Sequence, residues 1–258
     1  SLRFVEANAD RLRYVPGIGW HVWDGMRWAK DTTGRALEYS KVSAKAWTTR
    51  WVASQDANRN DKVRMALSLE SASHIKAALE LAQTDERLVI HHSKLDIDPW
   101  LLTVRNGTID LRSGNIRPHS RDDYITKLAP VTYTPDARNA ILDGVLGTLD
   151  EGMPGASDFL ARCFGAALSG DASPESVFLL QGDGASGKTT LTEGISSLLG
   201  DYSVKLPFES FCLSKHGRSP GGASPDLIRL RGSRFAYASE GDVSARLDAG
   251  TVKTLTGG

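Results

Sequence analysis

The sequence predicts an α/β half that follows a mainly helical α+β half with β-hairpins, and three observations predict it. All six tryptophans lie at or before Trp100, so the front and back of the chain differ in composition. Turn dipeptides divide residues 101–119 into short apolar runs, the pattern of an antiparallel meander. Past position 175 a continuous apolar run, a glycine-rich turn and a helical segment follow one another, as in a sheet flanked by helices.

Composition sets the outer limits. The 258 residues, 40% hydrophobic and 24% charged, suit one large domain or two smaller ones in a soluble globular protein. No apolar run approaches the roughly 20 residues that span a bilayer, and the N-terminus lacks the basic-then-apolar order of a signal peptide. Two cysteines, Cys163 and Cys212, are too few for a disulfide framework or a zinc cage, so a reducing cytoplasm is expected. With 31 basic and 31 acidic side chains, no global field marks a nucleic-acid partner. The charge is uneven all the same: residues 1–52 carry nine Lys/Arg against five Asp/Glu, while residues 53–200 carry fourteen against twenty.

The elements follow in order. A short helix opens the chain. Tyr14 to Trp28 then alternates aromatic and β-branched residues around Asp24-Gly25, the signature of a hairpin with a tight turn. Residues 41–55 are expected as a helix with Trp47 and Trp51 on one face. The next helix is capped by Asn60 or Asp61, and Met65, Leu69, Ala72, Ile75, Leu79 and Ala82 form its packed face. In the meander, Leu101-Leu-Thr-Val104 and Thr108-Ile-Asp-Leu111 flank Asn106-Gly107, and Ser113-Gly114 leads to Ile116. Helices are expected within 138–149 and 156–168, separated by Met153-Pro-Gly155. The domain boundary falls in the 130s, giving residues 1–137 and 138–258. Val177-Phe-Leu-Leu180 is expected as a strand buried on both faces, followed by a helix from Lys188 to Leu199 that Gly200 closes. Residues 202–206 and 234–240 are expected as further strands.

The chemistry lies in the turn after residue 180. Gly182-Asp183-Gly184-Ala185-Ser186-Gly187-Lys188-Thr189 fits G-x-x-x-x-G-K-[ST] at every fixed position. Glycines let successive backbone N–H groups face phosphate oxygens, and the following helix adds its partial positive charge. Lys188 would neutralise β- and γ-phosphates, and the Thr189 hydroxyl would hold Mg²⁺. The candidate binding set is Gly182 to Thr189 with Thr190, and its ligands are ATP and Mg²⁺. Glu240, at the end of Phe235-Ala-Tyr-Ala238, is the candidate carboxylate that orients water and contacts the metal. Asp242 is a weaker candidate, two residues further on.

Other features have plain readings. His91-His92 has no third metal ligand at useful spacing. Cys163 fits a helix core. Trp20, Trp23 and Trp28, with Arg27 and Lys30 nearby, could stack bases, but aromatic strands more often build cores. Lys215, Arg218, Arg229, Arg231 and Arg234 face only Asp226 in a stretch that contains a glycine- and proline-rich loop at 218–225; they could meet DNA or form a solvated face.

Taken together, four segments resemble the phage- and plasmid-type primase-helicases, whose ATPase is a superfamily III helicase related to the poxvirus primase-helicase. They are Asn106–Lys127, the Walker A loop at 182–189, Leu230–Glu240 as a Walker B segment with one Glu after Ser, and Lys253–Gly258. The resemblance implies an AAA+-like P-loop ATPase, incomplete here, after an N-terminal accessory domain. It further implies a ring, hexameric in such proteins, that moves along DNA beside replication proteins in a bacterial host cytoplasm. A polar sensor, an arginine finger and a bridging fourth strand would come after Gly258, so a fragment of a longer protein is expected, inactive on its own.

The leading expectation is the nucleotide-binding part of an ATP-dependent DNA helicase. One alternative is a different P-loop phosphotransferase. The other is a DNA- or partner-binding module, residues 1–135, beside an inert ATPase half.

Overall fold

A computed structural model describes residues 2–171, 173, 176–182, 186–212, 229–239 and 246–256. They gather into two compact units: Ser1–Ile97 with His119–Thr126, and Asp98–Pro118 with Lys127–Gly258.

The first unit begins with helix α1 (Leu2–Asn8) and an antiparallel sheet of β1 (Leu12–Val15), β2 (Gly19–Trp23) and β3 (Trp28–Lys30). Leu12 pairs with Val22, and Trp23 with Trp28. The β2–β3 turn forms because the Asp24 carboxylate accepts the N–H groups of Met26 and Arg27, each at 2.8 Å, while Gly25 takes a φ of 102°. Helices α2 (Arg35–Val52), α3 (Arg59–Leu69) and α4 (Ala72–Ala82) follow. Phe4, Val5, Leu12, Val22, Ala36, Ala82 and Leu88 form the core. Asn8 lies inside it, its side-chain amide donating to Phe4 O at 2.7 Å and to Ser43 Oγ at 3.1 Å, so α1 is tied to α2 without an orphaned polar group.

Two expectations need correction here. The helix expected across Met65 to Ala82 is two helices. Ser71 leaves helical geometry (φ −64°, ψ 145°) and its hydroxyl accepts the His74 N–H, so a new N-cap interrupts a periodicity that runs on through it. Met65 is 68% exposed and stands outside the core, whereas the shorter Ala66 is buried. The cap of α3 is Asn58, ahead of the expected Asn60 or Asp61, and its side chain makes no capping bond.

Residues 119–126 return to this unit. Trp28 donates its backbone N–H to Ile125 O (2.8 Å) and its indole N–H to Arg121 O (2.9 Å), and its ring stacks on Tyr124. The Asp96 carboxylate accepts both the backbone N–H and the hydroxyl of Thr126. Asp96 and Tyr124 both occupy left-handed backbone geometry (φ 52° and 49°), held by these partners.

The second unit contains the meander β4 (Leu101–Val104), β5 (Gly107–Asp110) and β6 (Asn115–Arg117), as its turn dipeptides predict. It also contains α5 (Ala140–Gly152), α6 (Ala156–Leu168), α7 (Lys188–Leu199), α8 (Ala249–Thr256) and a parallel pair, β7 (Ser203–Lys205) with β8 (Phe235–Tyr237). Leu102, Val104, Ile109, Ala129, Leu199 and Tyr202 make one core, so meander and α7 share their apolar contacts. The run at 177–180 departs from expectation. It pairs with no strand among the described residues, and Leu179 is 77% exposed. A strand exists only through its ladder partners, and β7 and β8 use each other.

His21 lies inside the first unit's sheet at 4% exposure. Burial lowers its pKa below 6.5, outweighing the bond to Gly19 O. The unfolded chain therefore takes up the proton first on acidification. Stability is full above about pH 6.5 and falls below it, by up to about 1.4 kcal/mol for each unit of pKa difference. Urea midpoints at pH 7.5 and 5.5 should show this drop in the wild type and a smaller one in His21→Gln; an equal drop would contradict the assignment.

Candidate functional site

The candidate site stands at the N-terminal end of α7. Gly187 precedes the helix with a φ of 79°, a geometry that costs an L-residue about 1–2 kcal/mol. Its carbonyl accepts the Leu191 N–H at 2.9 Å, so helical bonding begins at the last glycine of the motif. Lys188, the first helical residue, turns its side chain back toward Gly182 and Ser186. Its ammonium donates to Gly182 O at 2.7 Å and to Ser186 Oγ at 2.8 Å. A Cβ added at Gly182 would lie 3.2 Å from Ser186 Oγ and 3.7 Å from Lys188 Nζ, so the bare backbone leaves room for the lysine head. Thr189 and Thr190 are exposed one and two positions into the helix.

This arrangement fits an anionic ligand. A strongly hydrated ammonium lies beside a helix N-terminus, and both favour negative charge. Phosphate oxygens could replace Gly182 O and Ser186 Oγ as acceptors without moving the lysine stem. The structure brings Gly182, Ser186, Gly187, Lys188, Thr189 and Thr190 together. Asp183, Gly184, Ala185 and Glu240 lie outside the described residues, as does the loop at 218–225. Strand β8 points the chain toward Ala238 and Ser239, and β7 lies parallel to it.

The far end of α7 is fixed just as specifically. Gly200 takes a φ of 52°, and a Cβ there would meet Pro130 Cδ at 2.3 Å and Leu128 O at 2.9 Å. Tyr202, 1% exposed, accepts the Thr103 N–H on its hydroxyl at 3.1 Å and donates to Lys127 O at 3.4 Å. Arg234, just before β8, donates to Leu168 O and Leu101 O, each at 2.7 Å, and its guanidinium covers the Tyr202 ring. These positioning residues carry no local sequence signal, because their partners are distant in the chain.

The remaining candidates resolve structurally. Trp28 is fully buried, with Arg13 and Tyr124 against its ring, and Arg121 covers Trp23. Arg3 and Arg50 lie over Trp47, and Lys62 over Trp51. These aromatic faces hold cations of the chain itself. His91 and His92 are exposed and meet edge to face, and no group of three His, Cys, Asp or Glu among the described residues could hold a metal ion. Cys163 is half-buried in α6. No described helix is long and apolar enough to cross a membrane.

Residues 1–154 match the family model described as "D5 N terminal like". Three viral proteins whose names call them putative helicases are similar. The one from Acanthamoeba polyphaga mimivirus is 30% identical over 167 residues, 64% of this chain and 17% of its own length. The one from Frog virus 3 is 25% identical over 231 residues, 63% of this chain and 23% of its own length. The one from Invertebrate iridescent virus 6 is 27% identical over 174 residues, 65% and 18%. The chain thus spans about a fifth of the length of each relative.

Gly200→Ala should destabilise the chain by more than about 1 kcal/mol, because both the backbone geometry and the contact with Pro130 oppose a side chain. A thermal melt unchanged from wild type would show that α7 does not end as described.

Proposed function

Because the chain belongs to the D5 N terminal like family, we propose that it works in a primase-helicase as the accessory region, residues 1–137, and the nucleotide-binding part, residues 138–258, of an ATP-dependent DNA helicase. The observation that carries the ATP part of this reading is the Lys188 ammonium, held between Gly182 O and Ser186 Oγ beside the glycine that opens a helix. The helicase part is supported by the family and by the names of the three relatives.

On this reading Lys188 binds the β- and γ-phosphate oxygens, with the loop N–H groups and the α7 N-terminus sharing the negative charge. The Thr189 hydroxyl would hold Mg²⁺. Mg²⁺, when bound, neutralises phosphate charge that would otherwise resist an attacking water. Glu240 orients that water and accepts its proton. DNA is the macromolecular partner, with assembly into a ring, hexameric as in the proteins it resembles, and contacts to other replication proteins.

A second reading has one observation in its favour. The apolar run at 177–180 is exposed and unpaired among the described residues, so the strand before the loop lacks a ladder. In that case the chain is a DNA- or partner-binding module and its nucleotide half is inert.

Titration calorimetry separates the two. MgATP should bind the chain saturably, and Lys188→Ala should reduce binding below detection; equal binding by wild type and variant would overturn the loop assignment. Glu240→Gln in the full-length protein should keep ATP binding and lose phosphate release. Undiminished release would move the catalytic acid elsewhere.

A further inference from the structure

Helices α2 and α4 of the first unit enclose an open groove of about 380 Å³. Its floor is apolar, built by Leu37 and Ile75, and is closed where the Ser40 hydroxyl donates to Ile75 O at 3.2 Å. Its rim carries Lys41, Lys45 and Lys76. Lys41 and Lys45 are one helical turn apart on α2, a rise of about 6 Å, and Lys76 comes from α4.

The charges along this groove do not cancel. Lys41 meets Glu38 at 3.0 Å, but the two side chains are 53% and 61% exposed, a solvated pair that another anion can displace. Lys45 and Lys76 have no acidic partner among the described residues. The one carboxylate in the lining, Glu70, accepts the Thr48 hydroxyl. Like charges one turn apart repel by a few tenths of a kcal/mol, so the isolated groove holds a mild strain that a bound anion relieves.

The kind of anion follows from the kind of donor. A single small anion is held by buried, converging donors, and here all three amines are exposed. Lysine heads on flexible stems strung along a rim suit a chain of phosphates, which they contact as point charges without regard to sequence. The apolar floor suits the base faces that a single strand exposes and a duplex stacks inside.

We propose that the α2–α4 groove binds the backbone of single-stranded nucleic acid through Lys41, Lys45 and Lys76. This deepens the helicase reading and rests on its DNA partner. It makes the accessory region a strand-holding surface separate from the nucleotide site.

The test is fluorescence anisotropy of a labelled oligothymidylate with the whole chain, repeated across salt concentrations. Lys41→Gln/Lys45→Gln/Lys76→Gln should weaken binding at least about tenfold at moderate salt and flatten the slope of log K against log salt by about 2, as expected for three lost phosphate contacts. Arg59→Gln/Arg64→Gln/Lys94→Gln removes equal charge from exposed positions outside the groove and should keep the wild-type slope. Thermal melts of both variants within a few degrees of wild type establish the fold; if the lysine triple variant melts early, the single variants Lys45→Gln and Lys76→Gln, each lowering the slope by about 0.7, take its place. Equal slopes for wild type and lysine variants would overturn the groove while leaving DNA binding in place. No oligonucleotide binding by the wild type would overturn both. Groove-dependent binding of polyglutamate without oligonucleotide binding would assign the site to an acidic protein, and tighter groove-dependent binding of a duplex would refute the single strand.

Discussion

The second unit depends on a buried tyrosine hydroxyl. Tyr202 accepts the Thr103 N–H from β4 and donates to the carbonyl of Lys127, while Arg234 covers its ring and donates to Leu101 and Leu168. Four separate stretches of chain thus meet around one side chain. Each of these polar groups would cost about 1–3 kcal/mol if buried without a partner. Leu102, Ile109 and Leu199 supply the apolar contact around it, so the meander and the far end of α7 hold one another in place. The glycine loop at the other end of α7 is therefore carried on a helix whose position the meander fixes.

Local chemistry was legible in the sequence and non-local pairing was not. The start of α7 could be read because it is set by neighbours in the chain: Gly187 takes a positive φ, and the helix begins at Lys188. The three strands of the meander announced themselves through Asn106-Gly107 and Ser113-Gly114 for the same reason. Residues 177–180 have the composition of a buried strand, but composition does not supply a ladder. Ser71 was missed because apolar spacing continues from Met65 to Ala82 across it, while a cap depends on one backbone angle. Tyr202 and Thr103 are 99 residues apart, and nothing near either residue signals the bond.

Charge follows the same division. Neutral composition conceals a rim of lysines on α2 and α4, of which only the Lys41–Lys45 spacing is visible along the chain. Lys76 joins them through packing. The aromatic side chains show the opposite case: of the tryptophans that could have stacked on bases, Trp23 and Trp28 are covered by Arg121 and Arg13 of the chain itself, and Trp20 meets the Tyr14 ring. Cations over aromatic faces thus stabilise the helical unit, and the lysine groove remains an open basic surface on it.

The loop-bearing helix and the meander form one cooperative body joined through Tyr202. Native-state hydrogen exchange on Tyr202→Phe tests it most directly. The amides of Leu102 to Val104 and those of the last turn of α7 should lose protection together and by similar free energies. A loss confined to the Thr103 amide, with α7 unchanged, would contradict the account.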